Sequence, residues 1–318
     1  MIRFCDLKTG KETNRPSSFI AALGDFDGVH IGHRRVILEA VSAAKEAGVS
    51  GAAWFFSDSP KGSTAKLTDN SEKERIFASL DIDYSITENF DKIKNLSPGD
   101  FVKDYLVSIG CCGVVCGFNF RFGKNAAGNV DVLSSLCRES GLTFKAVEPI
   151  TFDGETVSST RIRALLAEGN VDTAEKMLGR PYSVTGEVEH GRTLGSKFGF
   201  PTINQNFIGD KVVPRHGVYF TYTEIDGSLF PSVSNVGSRP TVGGHVCRLE
   251  THILNCSADL YGKTLTVYFA KFRRPEMTFK SEDELINAIS EDKAAAANFF
   301  SENKNMSVEG DQKYDEKK

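Results

Sequence analysis

The amino-acid sequence predicts two different folds in one chain: an α/β domain with a parallel sheet, then a small antiparallel β-barrel with a closing helix. In the first half, short apolar runs alternate with segments of helical spacing, as in open sheets with helices on both faces. From Tyr182 onward, short alternating segments and glycine-rich turns replace them, which is typical of small barrels. We find no internal repeat. We therefore expect domains over residues 1–182 and 183–306, followed by a flexible charged tail over residues 307–318.

The strands and helices of the first half are predicted from the spacing of apolar residues. Gly48 suits the C-cap of the first helix, and Ser97 followed by Pro98 marks the start of a later helix that Gly110 closes. Because β-α units of this length repeat, we expect a parallel sheet whose ligands bind beyond the carboxyl ends of the strands. The predicted strands cover residues 19–23, 52–56, 82–86, 113–117 and 143–147.

The second half is predicted to consist of short strands before a closing helix over residues 282–300. Asp226-Gly227 is a two-residue hairpin signal between two of these strands. The predicted strands cover residues 182–188, 218–225, 229–236, 248–254 and 265–272.

Composition excludes several classes of protein. The net charge of −4 over 318 residues disfavours nucleic acid and membrane surfaces as partners. No apolar run approaches membrane length, and the first residues lack the apolar core of a signal peptide, so we expect a cytoplasmic protein. The seven cysteines show no zinc-site spacing and are expected to be reduced and mostly buried.

The run from Gly24 to His33 lies between the first apolar run and the first helical segment. Its two imidazoles, His30 and His33, are three residues apart at a helix start, where unpaired N–H groups and the helix dipole attract phosphate. Other phosphate loops do not fit. Residues 117–124 have the wrong glycine spacing for a P-loop, and Asn125 stands where Ser or Thr should hold magnesium. No GxGxxG follows the first strand, which argues against a dinucleotide oxidoreductase.

His30-Ile31-Gly32-His33 resembles the HxGH motif of a nucleotidyltransferase superfamily. The extended run is similar to the FMN adenylyltransferase module of prokaryotic bifunctional riboflavin kinase/FAD synthetases, and residues 119–123 and 158–163 support that match. The resemblance implies a Rossmann-like nucleotidyltransferase domain in which His30 and His33 are catalytic. It also implies that ATP and substrate contact the run through Gly24, Asp25, Phe26, Asp27 and Gly28.

These residue types suit adenylyl transfer, in which negative charge builds on the phosphoryl oxygens. His30 and His33 can donate hydrogen bonds to those oxygens. Ser159 and Thr160 offer hydroxyl groups at a helix start, and Arg163 offers a permanent cation for the departing pyrophosphate.

Asn119, by the same resemblance, would help to hold nucleotide or flavin. Simpler structural roles stay open for this half of the chain. A histidine near a helix start is often a cap or a core residue, and Ser-Ser-Thr before a helix is most often plain capping. Phe120 and Phe122 are expected to pack in the core or in the loop rather than on flavin.

The run over residues 186–204 is rich in glycine, lacks P-loop spacing and ends in Pro-Thr-Ile-Asn. It resembles riboflavin kinase, in which a glycine-rich loop precedes a Pro-Thr-x-Asn motif. The resemblance implies that Gly191 and Gly195 approach the ATP phosphates, and that Thr202 and Asn204 coordinate magnesium through oxygen ligands. Further matches extend to residue 276 and imply that Glu250 is the general base for the ribityl 5′-hydroxyl. A solvated strand carboxylate is the structural alternative for Glu250.

Two stretches depart from the family pattern and predict weaker binding of ATP or flavin. Ser196 stands where the family commonly has an arginine, and residues 56–60 lack the usual acidic-Pro-His-Pro character. We expect no catalytic role for the remaining histidines, which are His190, His216, His245 and His252.

The expected protein is a bifunctional enzyme with riboflavin, FMN, FAD and ATP as its partners. It would convert riboflavin and ATP to FMN and ADP in the barrel, and FMN and ATP to FAD and pyrophosphate in the first domain, each step with a divalent cation, expected to be Mg²⁺. Two rivals stay open: a nucleotidyltransferase for another phosphorylated substrate with a non-catalytic barrel, and a flavin-binding regulator without catalysis.

Overall fold

The computed structural model describes residues 3–57, 65–189, 200–207, 209–241, 244–256 and 258–303. The chain forms two compact units, Met1–Ser159 and Thr160–Lys318. The functional boundary expected at residue 182 stays a prediction. The candidate residues Gly191 and Gly195, the departure at Ser196 and the expected tail lie outside the described residues, as do residues 58–60 of the other departure.

The first unit is built on a seven-stranded sheet in the order β2-β1-β5-β4-β3-β6-β7. Strands β3 to β7 pair in parallel, as predicted, whereas β1 adds an antiparallel edge that apolar spacing did not reveal. The strands are β1 (Arg3–Asp6), β2 (Lys11–Glu12), β3 (Phe19–Leu23), β4 (Ser50–Phe56), β5 (Tyr84–Glu88), β6 (Cys111–Gly117) and β7 (Thr143–Val147), followed by the separate hairpin β8 (Thr151–Phe152) and β9 (Glu155–Thr156).

Both faces of this sheet are covered, which explains its continuous apolar strands. In β3, Phe19, Ala21 and Leu23 face one buried cluster, whereas Ile20 and Ala22 face the other. The helices of this unit are α1 (Ile31–Ala47), α2 (Asn70–Ser79), α3 (Phe90–Ile93), α4 (Pro98–Asp100) and α5 (Val130–Glu139).

The helix that begins after Ser97 is only partly α-helical. Ser97 caps it as predicted, in a reciprocal capping box with Asp100. The chain then continues as a π-helix over Phe101–Leu106, a register that apolar spacing cannot predict. Its wider turn buries Phe101, Val102 and Leu106 together in the core.

The second unit begins with α6 (Ser159–Glu168, which starts at the unit boundary) and continues through α7 (Val171–Leu178) into a six-stranded antiparallel sheet. The strand order β10-β15-β12-β13-β14-β11 confirms the predicted barrel. Its elements are β10 (Tyr182–Glu187), β11 (Ile203–Asn206), β12 (Gly217–Ile225), β13 (Ser228–Thr241), β14 (Gly244–Ile253), β15 (Thr264–Arg274) and the closing helix α8 (Glu282–Glu302).

Gln205 on the edge strand β11 forms hydrogen bonds to the opposite edge of this sheet. Its fully buried Nε2 atom donates to the carbonyl oxygens of Gly186 and Leu265, both at 2.8 Å. A single bridge between Glu189 and Asn204 adds to this near-closure. The barrel therefore replaces part of a strand ladder with side-chain hydrogen bonds.

The barrel interior contains several hydrogen-bonded pairs of hydroxyl groups. Thr221 and Thr251 both hydrogen-bond Ser234 at 2.7 Å, and Thr223 hydrogen-bonds Ser232 at 2.8 Å. These buried pairs satisfy polar side chains that would otherwise oppose folding.

Several local predictions are confirmed. Gly48 ends α1 in the left-handed conformation, and Asp226 and Gly227 both have positive φ, as a two-residue hairpin turn requires. All seven cysteines are free thiols, four of them buried. Across the described ranges, no helix has the length and apolar character needed to span a membrane.

Candidate active sites

The motif turn, defined here as Gly24 to His33, leaves β3 at the carboxyl edge of the sheet and enters α1. Three of its residues have positive φ: Phe26 (51°), Gly28 (82°) and Val29 (39°). For a buried β-branched residue such as Val29 this conformation is strained, and such strain persists only where the surroundings enforce it. The close approach of the Phe26 ring to Gly24 also leaves no room for a Cβ there, which would lie 2.8 Å from the ring.

His30 and His33 lie together, as predicted. Their rings stack with centroids 3.6 Å apart and planes 17° apart. His30 is the N-cap of α1, and its Nδ1 atom accepts from the backbone N–H of His33 at 3.3 Å. His30 therefore caps the helix, as the structural alternative proposed. The same contact also makes Nδ1 an acceptor, so the ring proton lies on Nε2, which is a donor suited to a phosphoryl oxygen.

The motif turn is anchored by hydrogen bonds to the segment that precedes α2. Oδ1 of the buried Asp27 accepts from the backbone N–H groups of Leu67 (2.9 Å) and Thr68 (3.2 Å). In return, the N–H of Gly28 donates to Thr68 Oγ1 at 2.9 Å. Ser159 Oγ donates to the carbonyl oxygen of Asp27 at 2.8 Å. The Asp27 side chain is thus an anchor of the turn, and its contact with a ligand stays a prediction.

Lys73 is a buried cation beneath the turn that the sequence-based prediction missed. Its side chain donates from Nζ to the Asp25 carbonyl oxygen at 2.8 Å and lies over the Phe55 ring. Burial lowers the pKa of Lys73, and the nearby carboxylates of Asp25 and Asp27 oppose that shift. The signal was present in the sequence, because Lys73 continues the apolar stripe of Ile76, Phe77 and Leu80 at helical spacing.

Asn119 lies two residues beyond β6, which pairs directly with β3 in the sheet. It is therefore at the same carboxyl edge as the motif turn, and it is exposed. Phe122 is buried in the core and stacks on Phe120, in agreement with their expected packing role.

The other predicted residues of this site are in α6, which begins at Ser159 as expected. Thr160 is exposed and Arg163 is half-buried. Both belong to the second compact unit, and their roles toward the phosphates stay predictions.

The second candidate site is a row of polar residues across three neighbouring strands. Glu250 on β14 is directly opposite Asn204 on β11 and directly opposite Asn235 on β13. Directly opposed residues of antiparallel strands point to the same face, with Cβ atoms about 5 Å apart. Leu249 and Thr251 are fully buried toward the interior, so the row lies on the outer face of the barrel.

Within this polar row, Asn204 is buried and Glu250 is half-buried, which makes a fully solvated carboxylate the poorer interpretation. Asn235 was not among the predicted site residues, because only the strand register places it beside Glu250. Thr202 precedes β11 and is half-buried. Its hydroxyl and the Asn204 amide oxygen are hard oxygen donors of the kind that Mg²⁺ takes, so these two residues fit this ion.

The comparisons with known proteins cover both units. A family model described as FAD synthetase matches residues 12–161, and one described as riboflavin kinase matches residues 178–300. A bifunctional riboflavin kinase/FMN adenylyltransferase of Pseudomonas fluorescens is 35% identical over 288 residues, which cover 87% of this chain and 91% of the relative. The chain belongs to this bifunctional family.

Other relatives of the same family agree. The bifunctional riboflavin kinase/FMN adenylyltransferase of Escherichia coli strain K12 is 34% identical over 88% of this chain and 92% of its own length. A crystal structure described as a macrolide-efflux protein from Streptococcus pneumoniae has a TM-score of 0.83 at 27% identity, covering 92% of this chain and 97% of that one. The likeness extends over the length of both units and supports the fold. The stated efflux role belongs to that protein alone.

Proposed function

We propose that the two activities of this bifunctional family occupy the two sites described above. The chain is a riboflavin kinase and an FMN adenylyltransferase. In our proposal the motif turn performs adenylyl transfer, and the polar row around Glu250 performs phosphorylation. The observation that carries this division is that each compact unit holds one cluster suited to phosphate chemistry, His30 with His33 in the first and Asn204 with Glu250 in the second.

At the motif turn, the FMN phosphate attacks the α-phosphorus of ATP and pyrophosphate leaves. Negative charge grows on the phosphoryl oxygens as the bond forms. His30 is proposed to offer its Nε2–H to that charge, and the start of α1 adds the positive end of its helix dipole. His33 stacks on His30 and adds a second imidazole. Ser159, Thr160 and Arg163 are proposed to hold the remaining phosphates, and Asn119 to hold nucleotide or flavin at the sheet edge.

At the polar row, Glu250 accepts the proton of the riboflavin 5′-hydroxyl while that oxygen attacks the γ-phosphorus of ATP, and ADP leaves. Asn235 and Asn204 are directly opposite Glu250 on the two flanking strands and are proposed to orient its carboxylate. Thr202 and Asn204 would hold Mg²⁺, which when bound offsets the phosphate charge. Gly191 and Gly195 are proposed to bring backbone N–H groups to the same phosphates.

A time course separates this proposal from its rivals. The purified protein is incubated with riboflavin, ATP and Mg²⁺, and products are resolved by chromatography. FMN should appear first and FAD after it, with both steps abolished by EDTA and restored by excess Mg²⁺. Formation of FMN without FAD would indicate a different substrate for the first unit. Absence of both products would favour a flavin-binding regulator.

A further inference from the structure

A buried histidine connects the Glu250 strand to the segment that carries Thr202. His252 is two residues beyond Glu250 on β14 and is only 9% exposed. Because side chains alternate along a strand, His252 shares the outer face with Glu250, opposite the buried Thr251. Its Nδ1 atom is 2.9 Å from the carbonyl oxygen of Pro201, the residue before Thr202.

The chemistry of this contact fixes the tautomer of the ring. A carbonyl oxygen can only accept, so Nδ1 carries the proton and donates it. Burial, with a smaller contribution from Lys293, lowers the pKa of His252, and the Pro201 carbonyl opposes that shift. The direction of this shift favours the neutral ring, and the Pro201 contact places a proton on Nδ1. The Nε2 atom of His252 is buried and meets no hydrogen-bond partner within the described part of the chain.

The Pro201 contact matters because the strand ladder does not reach Thr202. Pairing of β11 with β14 begins at Ile203 opposite Thr251. The two residues before Thr202 are instead held by His252, whose ring meets Phe200 edge-on at 5.9 Å, and by Lys293 of α8 over the Phe200 ring at 5.7 Å. Thr202 thus lies between one segment fixed by the ladder and another fixed by His252.

We propose that His252 is a positioning residue of the riboflavin kinase reaction: its Nδ1–H fixes the Pro201 carbonyl and thereby sets Thr202 relative to Glu250. The proposal rests on the function proposed above for the polar row. His252 does not contact the reacting atoms. A misplacement of about 1 Å in such a supporting contact can cost on the order of 100-fold in rate.

Two conservative variants test the roles of the two ring nitrogens separately. In His252→Asn the amide nitrogen can occupy the place of Nδ1, whereas in His252→Gln the amide reaches the place of Nε2. His252→Leu removes both. We expect His252→Leu and His252→Gln to lose about 10- to 100-fold in kcat/KM for ATP in FMN formation, and His252→Asn to retain activity within a few-fold of the parent. The KM for riboflavin should change much less.

Circular dichroism checks that the second unit of each variant is folded, because adenylylation of supplied FMN takes place at the motif turn and reports only on the first unit. The two activity controls are that adenylylation and His216→Leu, which tests the loss of a half-exposed histidine. Both controls should match the parent. Unchanged FMN formation in His252→Leu would overturn the positioning role, and rescue by Gln rather than Asn would overturn the assignment to Nδ1. If the parent itself makes no FMN from riboflavin, the proposed function fails, and this is seen before any variant is compared.

Discussion

The hydroxyl group of Thr68 offers a direct test of how the motif turn is held. Thr68 is 1% exposed, and its Oγ1 atom accepts from the N–H of Gly28 at 2.9 Å. Thr68→Val keeps the shape of the side chain but replaces this acceptor with a methyl group. The N–H of Gly28 then loses that hydrogen bond in a buried place, next to the strained Val29.

The expected cost follows from the burial of both groups. Removing the acceptor of a buried N–H costs about 1 to 3 kcal/mol. Thr68→Ser is the matched control because it keeps the hydroxyl and loses one methyl group, worth about 0.8 kcal/mol. The two variants should differ more clearly in adenylylation activity than in stability, because only Thr68→Val removes the hydrogen bond that holds the motif turn and positions His30. We expect Thr68→Val to lose about tenfold in the adenylylation of FMN and Thr68→Ser to lose little.

Trp54 provides a local probe for the stability measurement. It is the single tryptophan of the chain and is buried in the first unit, so its fluorescence during guanidinium unfolding reports on that unit. FMN formation from riboflavin serves as the control for the second unit. Equal adenylylation rates in Thr68→Val and Thr68→Ser would refute the view that this hydrogen bond positions the turn.

Three further predictions concern the second unit. Burial raises the pKa of Glu175 to about 7, from an ordinary value of 4.5, so between these values the native state binds more protons and stability falls as the pH rises. After allowance for solvent screening, Glu175→Gln should raise the free energy of unfolding by about 1 to 2 kcal/mol at pH 8 and leave it unchanged at pH 4, as measured by thermal unfolding. An increase at both pH values would exclude the raised pKa as the cause. Asp292→Asn should lower the free energy of unfolding in denaturant by about 3 kcal/mol, because the buried Asp292 carboxylate pairs with Arg274 Nη2 at 2.7 Å. A decrease below 1 kcal/mol would contradict a stabilising role for this pair. Gly217→Ala should lower the melting temperature by several degrees, since φ is 148° and a Cβ would lie 2.4 Å from the Arg274 carbonyl oxygen; an unchanged melting temperature would show that the strand shifts freely.

Sequence-based prediction succeeded where one local signal decides the structure. The apolar runs identified the central strands, Gly48 identified a helix end, and Asp226-Gly227 identified a hairpin. It failed where distant residues decide. β11 was missed because Asn204, Gln205 and Asn206 are polar, and the hydrogen bonds that offset the burial of Gln205 come from distant strands across the barrel.

The candidate sites show the same limit. The spacing of His30 and His33 could predict their proximity, because residues three apart at a helix start share a face. The alignment of Glu250 with Asn204 and Asn235 depends on strand register, which the sequence does not specify over such distances. Thr68 and Lys73 were missed because they act through the backbone of the motif turn, whereas family motifs draw attention to residues that face the ligand.

The most direct test of the central claim is the product pattern of two single variants with each substrate supplied separately. We expect His30→Ala to convert riboflavin to FMN at the parent rate and to make no FAD. Glu250→Ala should make no FMN from riboflavin but should convert supplied FMN to FAD at the parent rate. Loss of both products in either variant, or an unchanged pattern in either, would contradict the assignment of one reaction to the motif turn and the other to the polar row.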